Sequence, residues 1–356
     1  MYKIDKIVYR EIVRISPSHF YSMKNCAYKS LLAAAFESKP LLPVSPNAYF
    51  GKVLHTMLEM ITKGLIKNEN DFNILFDKQV ILQEVNLVQL GYDFFVPLQK
   101  NVKDFGMKKV LLKKHLKKNS ENPESASKVK FYSEKWLESK DKLIAGKVDL
   151  IIEDEQGNEI IDFKTGAITQ DVLDDDGEIF SKIKEEYTDQ LKLYAQLYFE
   201  NTGKFPSKLS LIDLTKQKFA VAFTQSECES IFMEAKKLLA TINQSIIDGT
   251  YKANPSEKNC KYCLYRPACS SFSKLLEFKH TFNDVSGTIR NVVKYHNGNI
   301  NILLENRESN ITVTGFHSTK YDDLNARIDK RISIFNLWKE AAELVFSTTK
   351  TTVIYE

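Results

Sequence analysis

The spacing of apolar and polar positions changes several times along the chain, and each change marks an element. Residues 1–14 alternate roughly in polarity, which predicts a first strand. Ile15-Ser16-Pro17-Ser18 reads as a helix start, with Ser16 capping and Pro17 at the first helical position. That helix carries Phe20, Tyr21 and Met23 onward through Cys26 to Lys29. After a Pro-rich link over 39–46, Phe50, Val53, Leu54, Met57, Leu58 and Ile61 repeat at helical spacing. His55 and Glu59 lie four apart on that helix and therefore share one face. Residues 70–118 read as further helix, residues 119–128 as a polar loop, and 131–137, which include Glu134, as a return to alternation.

The stretch 145–166 predicts a hairpin. Val148, Leu150, Ile151 and Ile152 form one apolar run, Glu155-Gln156-Gly157-Asn158 the turn, and Ile160, Ile161 and Phe163 the second run. Downstream, the acidic run 171–178 reads as a solvated loop, and Leu191, Tyr194, Ala195, Leu197 and Tyr198 as the buried stripe of a helix. Gln190 stands in line with that stripe, four residues before Tyr194, where a core helix gives no reason for an amide. Strands follow at 209–213 and 219–223, then a long amphipathic helix over 225–248 that holds Cys228 as a structural thiol. Beyond residue 280, short strands at 285–293, 299–304, 310–315, 331–335 and 351–355, with a helix over 321–328, suit an oligonucleotide-binding barrel or another small β-barrel.

Side chains two apart on a strand share a face, so Asp162 and Lys164 point the same way, and Asp149 can be brought opposite them. Two carboxylates converging beside one ammonium are costly to desolvate unless a cation sits between them. Carboxylate oxygens are what Mg²⁺ or Mn²⁺ prefers, and the lysine can orient water or hold a phosphate oxygen. The arrangement suits metal-assisted phosphodiester hydrolysis. A net charge of +4 over 356 residues permits a local basic groove without a basic surface throughout. The lysine-rich stretch 108–118 fits either a solvated helix face or a phosphate-contacting one.

Five cysteines, in a chain whose first residues carry scattered charges and read as no signal peptide, argue against a disulfide framework and for metal ligation in the cytosol. No apolar run reaches membrane-span length. Cys260-x2-Cys263-x5-Cys269 is a metal-binding spacing. Zinc would take His280 as the nearby fourth ligand, whereas an iron–sulfur cluster would accept the distant Cys26.

Taken together, Gly51-x3-His55-x2-Leu58-Glu59, Gly146-x2-Asp149, Asp162-Phe163-Lys164-Thr165-Gly166, Gln190-x3-Tyr194 and the split cysteines resemble the RecB-type branch of the PD-(D/E)XK nucleases. The likeness is to its iron–sulfur members, such as the AddB nuclease domain and the CRISPR-adaptation exonucleases. It spans about residues 12–272. The resemblance implies an α/β fold, a restriction-endonuclease-like core of mixed β-sheet flanked by helices over 1–275, with an OB-like β-barrel domain over 280–356. It implies His55, Asp149 and Asp162 around Mg²⁺ or Mn²⁺, Lys164 acting on water, and Gln190 and Tyr194 on a helix that contacts DNA. It also implies a 4Fe–4S cluster on Cys26, Cys260, Cys263 and Cys269.

The expected activity is a Mg²⁺/Mn²⁺-dependent deoxyribonuclease on single-stranded DNA or DNA ends, an exonuclease rather than an endonuclease. Its setting would be recombination and repair, CRISPR adaptation or phage-related defence. The alternative is a non-cleaving DNA-binding scaffold subunit. The chain has no Gly-x4-Gly-Lys-Ser/Thr motif, so a helicase or defence-complex partner would be a separate chain.

Overall fold

The computed structural model describes residues 1–118, 129–155, 157–173, 179–278, 282–307 and 309–356. Residues 1–14 do not form the expected strand. Their alternation finds no ladder: single bridges join Tyr2 to Tyr355 and Ile15 to Ile144, and the chain between is irregular. Pro17 opens α1 (Pro17–Asn25), which stops before Cys26 instead of running through it. Side-chain amides of Asn254 and Asn259 take the Asn25 carbonyl at 2.9 and 3.1 Å, where a helical amide would otherwise bind. Cys26, at φ −154°, then caps α2 (Ala27–Ala35).

Ser45 accepts a hydrogen bond from the Asn47 amide and Pro46 takes the first helical position, so α3 (Pro46–Thr62) begins there. It buries Phe50, Val53, Leu54, Met57, Leu58 and Ile61, the stripe its spacing predicts. The helical region after it is interrupted by Gly91, at φ +78°, and Pro97, giving α4 (Glu69–Gln89), α5 (Leu98–Asn101) and α6 (Phe105–Lys113).

Next come β1 (Lys130–Glu138), β2 (Ala145–Asp154) and β3 (Gly157–Lys164), an antiparallel meander that includes the predicted hairpin. The start of the acidic run is not a loop. There β4 (Thr169–Leu173) pairs with β5 (Ile179–Ile183) as an antiparallel ribbon; residues 174–178 lie outside the described set. Then follow α7 (Glu185–Thr202), β6 (Lys208–Asp213), β7 (Lys218–Ala220) and α8 (Gln225–Ile247). The sheet order is β1-β2-β3-β6-β7, with β6 parallel to β3. A parallel neighbour demands a crossover, and α7 lies in it.

The chain divides into two compact units. This sheet and its helices make a core unit of Ile12–Lys24 and Ser45–Ser245. The other, a cysteine unit, combines Met1–Glu11, Asn25–Val44 and Ile246–Glu356. It contains α9 (Glu257–Cys260), α10 (Ser270–Leu276), β8 (Val285–Lys294), β9 (Asn299–Glu305), β10 (Asn310–His317) and α11 (Tyr321–Asn325). It ends with β11 (Arg331–Phe335), β12 (Trp338–Lys339), β13 (Val345–Ser347) and β14 (Val353–Tyr355). The strand order is β12-β13-β10-β9-β8-β11-β14, with β13 parallel to β10. That curled order is compatible with a small barrel, and its core includes Val285, Ile289, Ile300, Leu304, Val313 and Phe346.

Arg266 is the buried hub of the cysteine unit. Its Nε donates to Asp284 Oδ2 at 2.7 Å, and one terminal nitrogen donates to the carbonyls of Cys260, Lys261 and Cys263 at 3.1, 3.2 and 2.9 Å. The other terminal nitrogen donates to Asn336 Oδ1 at 3.1 Å. Removing one partner of a buried pair leaves an uncompensated charge, so Asp284→Ala should destabilise folding by about 3–5 kcal/mol, read by urea unfolding.

Candidate functional site

Both α3 and α7 present side chains to one face of the β1–β3 meander. The register that pairs Leu150 with Ile161 places Asp149 opposite Asp162. Asp149 Oδ2 accepts the Phe163 amide at 2.8 Å, which fixes the carboxyl against the neighbouring strand. Asp162 is only 4% exposed. Its Oδ1 accepts Gln190 Nε2 at 2.8 Å. Its Oδ2 lies 2.7 Å from Lys164 Nζ but accepts no hydrogen bond.

Gln190 is a clamp. While its amide nitrogen holds Asp162, its Oε1 accepts Lys164 Nζ at 2.9 Å. The Lys164 ammonium also lies 4.3 Å from the Tyr187 ring centroid, a cation–π contact. This explains an amide in a buried stripe: the stripe packs on the strand that carries two charges. Tyr194 works one turn further on, donating its hydroxyl to the Lys147 carbonyl at 2.9 Å. A side chain at Gly146 would meet Pro17 Cδ at 2.8 Å and Tyr194 Oη at 3.0 Å, so the Gly-x-x-Asp glycine is what lets Tyr194 and α1 approach β2. Gln190 and Tyr194 are thus bonded inward, both buried.

Electrostatics follow from burial. Loss of water, reinforced by the facing Asp162 charge, pushes the Asp149 carboxyl up to about 8. Burial pushes His55 below the ordinary histidine value, with the Asp162 charge opposing, which leaves its imidazole a neutral lone-pair donor near pH 7. A protonated acid, a buried carboxylate and a neutral imidazole are each of a type that can ligate a hard divalent cation.

Cys26, Cys260, Cys263 and Cys269 are free thiols that line a single pocket with Lys29, Arg266 and Phe272. Burial raises the Cys269 thiol to about 11, with the other three thiols adding to it. Cys228 is a fully buried member of α8 in the core unit, as a structural thiol would be. Among the described residues, no group of three or more His, Cys, Asp or Glu side chains stands in a metal-holding arrangement. His280 lies outside the described residues. In the lysine-rich stretch, Lys109 pairs with Asp77 at 3.0 Å and Lys113 with Glu69 at 2.8 Å, so these two face α4 carboxylates. Tyr187, whose ring Lys164 faces, is not among the residues expected from the sequence. Its spacing of three residues before Gln190, one helical turn, is the signal that could have found it.

The family model described as the PD-(D/E)XK nuclease superfamily matches residues 14–270. No curated protein matches the chain. Nucleases of this superfamily use divalent metals.

Asp149 sets a pH dependence. A carboxyl raised from 3.8 to about 8 contributes stability that is complete below its ordinary value and is lost as pH rises through about 8. Cation-free protein should therefore melt at falling temperature between about pH 5 and about pH 9, Mg²⁺ should restore more at the alkaline end, and Asp149→Asn should flatten the cation-free profile. Thermal melts across that range, with and without Mg²⁺, check it.

Proposed function

The chain belongs to the PD-(D/E)XK nuclease superfamily, and on that premise we propose that it is a Mg²⁺- or Mn²⁺-dependent deoxyribonuclease acting on single strands or DNA ends. The observation that carries the reading is the Gln190 clamp, which holds Asp162 and Lys164 side by side, one Asp162 oxygen bonded to Gln190 and the other in a 2.7 Å ion pair with Lys164. In this reading His55, Asp149 and Asp162 hold the cation. When bound, it supplies Lewis-acid polarisation of the scissile phosphate and favours ionised water at neutral pH.

The chain's own residues do the rest. Lys164, fixed by Gln190 and Tyr187, donates from its ammonium to the attacking water or to a phosphate oxygen as charge builds there. Phe163 donates its amide to Asp149 and keeps that carboxyl aimed at the rung. Gln190 and Tyr194 position the rung from within, and α7 carries them beside the strand of DNA. Phe131 and Trp136 are exposed on β1, with Trp136 across from Lys147. Aromatic faces next to lysines give sequence-tolerant affinity for unpaired bases and phosphates. That supports single strands or ends as the substrate.

The four cysteines that line one pocket support a 4Fe–4S cluster held by Cys26, Cys260, Cys263 and Cys269. Soft thiolates from distant positions would close a very long loop, a structural role. A β8–β10 meander with β11 on β8 and β13 parallel on β10 supports an OB-like barrel. A separate helicase or defence-complex subunit would feed the strand, in recombination and repair, CRISPR adaptation or phage-related defence.

Two experiments test this. Anaerobically purified protein with Mg²⁺ or Mn²⁺ should cut labelled single-stranded DNA, and Asp162→Ala and Lys164→Ala should each lose at least about a hundredfold in rate. Wild type that binds DNA but never cuts would sink the nuclease reading in favour of a scaffold. Separately, Cys26→Ser should lose iron and soluble yield together by metal analysis, and normal iron loading would contradict the cluster.

A further inference from the structure

Helix α4 is apolar on two opposite sides. With about 3.6 residues per turn, Phe72, Phe76 and Leu87 point to one side, and all three are buried. Ile74, Ile81, Val85 and Val88 point about half a turn away. These four, with Leu82 beside them, are 47–60% exposed. A surface helix needs one apolar stripe, and a helix that is apolar all round is covered on both sides. The inner stripe serves the fold: Phe76 packs edge-on against Phe50 of α3, with ring centroids 6.2 Å apart. The outer stripe, half open to water, is left for a second surface.

Its spacing says what kind of surface that is. Ile74, Lys78, Ile81, Val85 and Val88 follow one another at steps of four, three, four and three residues, the seam along which one helix lies on another. The seam reads alike from both ends about Ile81, with Ile74 and Val88 each seven residues away. An antiparallel copy centred there would set Ile81 against Ile81, Ile74 against Val88 and the Lys78 stem against Val85. A parallel copy would set Lys78 against Lys78, where like charges repel. The charges beside the seam are already met within the chain: Asp77 lies 3.0 Å from Lys109, and Glu69 lies 2.8 Å from Lys113. Neither calls for a strongly charged partner.

We propose that the outer face of α4 is a self-association surface, on which a second copy of this chain docks its own α4 antiparallel about Ile81. The five half-exposed side chains present on the order of 500 Å² of apolar surface, close to the apolar share, about 450 Å², of one side of a standard interface. Lys78 lays its stem along the seam and keeps its ammonium in water, and a single lysine in such a seam fixes register at a cost in stability. Because α4 rests on α3, which carries His55, the pair holds two candidate cation sites in one assembly. The pairing does not depend on the nuclease reading.

Sedimentation equilibrium of the full-length protein at tens of micromolar should give twice its 41.0 kDa. Ile81→Glu would bury two facing carboxylates on the axis, so it should weaken association at least about a hundredfold while keeping the wild-type circular dichroism spectrum. Under copper–phenanthroline, Ile81→Cys should crosslink with itself, and Ile74→Cys and Val88→Cys only when the two are mixed. Wild type, with its five free thiols, is the control and should stay uncrosslinked. Wild type that remains at 41.0 kDa overturns the proposal and leaves the face to a different protein. A dimer that Ile81→Glu leaves intact overturns the role of α4. Ile74→Cys that crosslinks with itself overturns the antiparallel pairing. Should Ile81→Glu fail to fold, the cysteine variants decide alone: a crosslink through Ile81→Cys supports the proposal, and its absence from a dimeric protein overturns it.

Discussion

Asp149 and Asp162 face each other across a rung largely cut off from water, and both cannot carry charge there without a cation's help. Much of the core unit can be understood as the means of keeping them in place. A parallel β3–β6 pair forces a crossover, and the crossover helix α7 lays its stripe against the strand that carries Asp162 and Lys164. Gln190 on that stripe satisfies both charged groups with one amide. Gly146 removes the Cβ that would keep Tyr194 and Pro17 off β2. The polar residues of the rung are therefore positioned by apolar packing around them, which is what a precise site requires.

The part of this that the sequence made legible is the part governed by short-range periodicity. A strand period of two put Asp162 and Lys164 on one face, and a helical period put His55 and Glu59 on one face of α3. Gln190 was visible as an oddity, an amide aligned with a core stripe, although its two partners lie 26 and 28 residues away and cannot be inferred from spacing. Long-range contacts explain the misreadings. The helix expected through Cys26 breaks because Asn254 and Asn259, more than two hundred residues on, take the Asn25 carbonyl. Residues 1–14 alternate like a strand but have only isolated bridges to pair with. The strand β13 is three residues long and is a strand because β10 accepts it in parallel, a pairing no local pattern announces. Glu134 belongs to an alternating run, but nothing in that run foretells its left-handed backbone.

The cysteine unit solves a different problem. Its thiols come from two stretches far apart in sequence, and the loop carrying three of them has little regular structure of its own. Arg266 compensates by donating to three carbonyls of that loop while its other nitrogens reach Asp284 and Asn336 on the sheet side of the unit. Asn254 and Asn259 tie the residue before Cys26 to the same loop. The loop is thus anchored by protein hydrogen bonds as well as by anything the thiols hold. Bound metal would add to a framework that already has a shape.

The two buried charge sets differ in a way that bears on what each is for. Asp284 is fully buried, and its carboxylate takes the Arg266 guanidinium and the Asn336 amide. Both charges are met by fixed partners, so the pair has nothing left to bind and serves to specify a conformation. The Asp149–Asp162 rung is met only in part. One carboxyl is pushed toward its protonated form, and the ammonium 2.7 Å from the second oxygen of the other is shared with Gln190 and Tyr187. A fold that can surround Asp284 with donors has the means to do the same at Asp162. At Asp162 a glycine, a clamp and a helix face instead fix the carboxylate beside the Lys164 ammonium, the arrangement on which the proposed cation site rests.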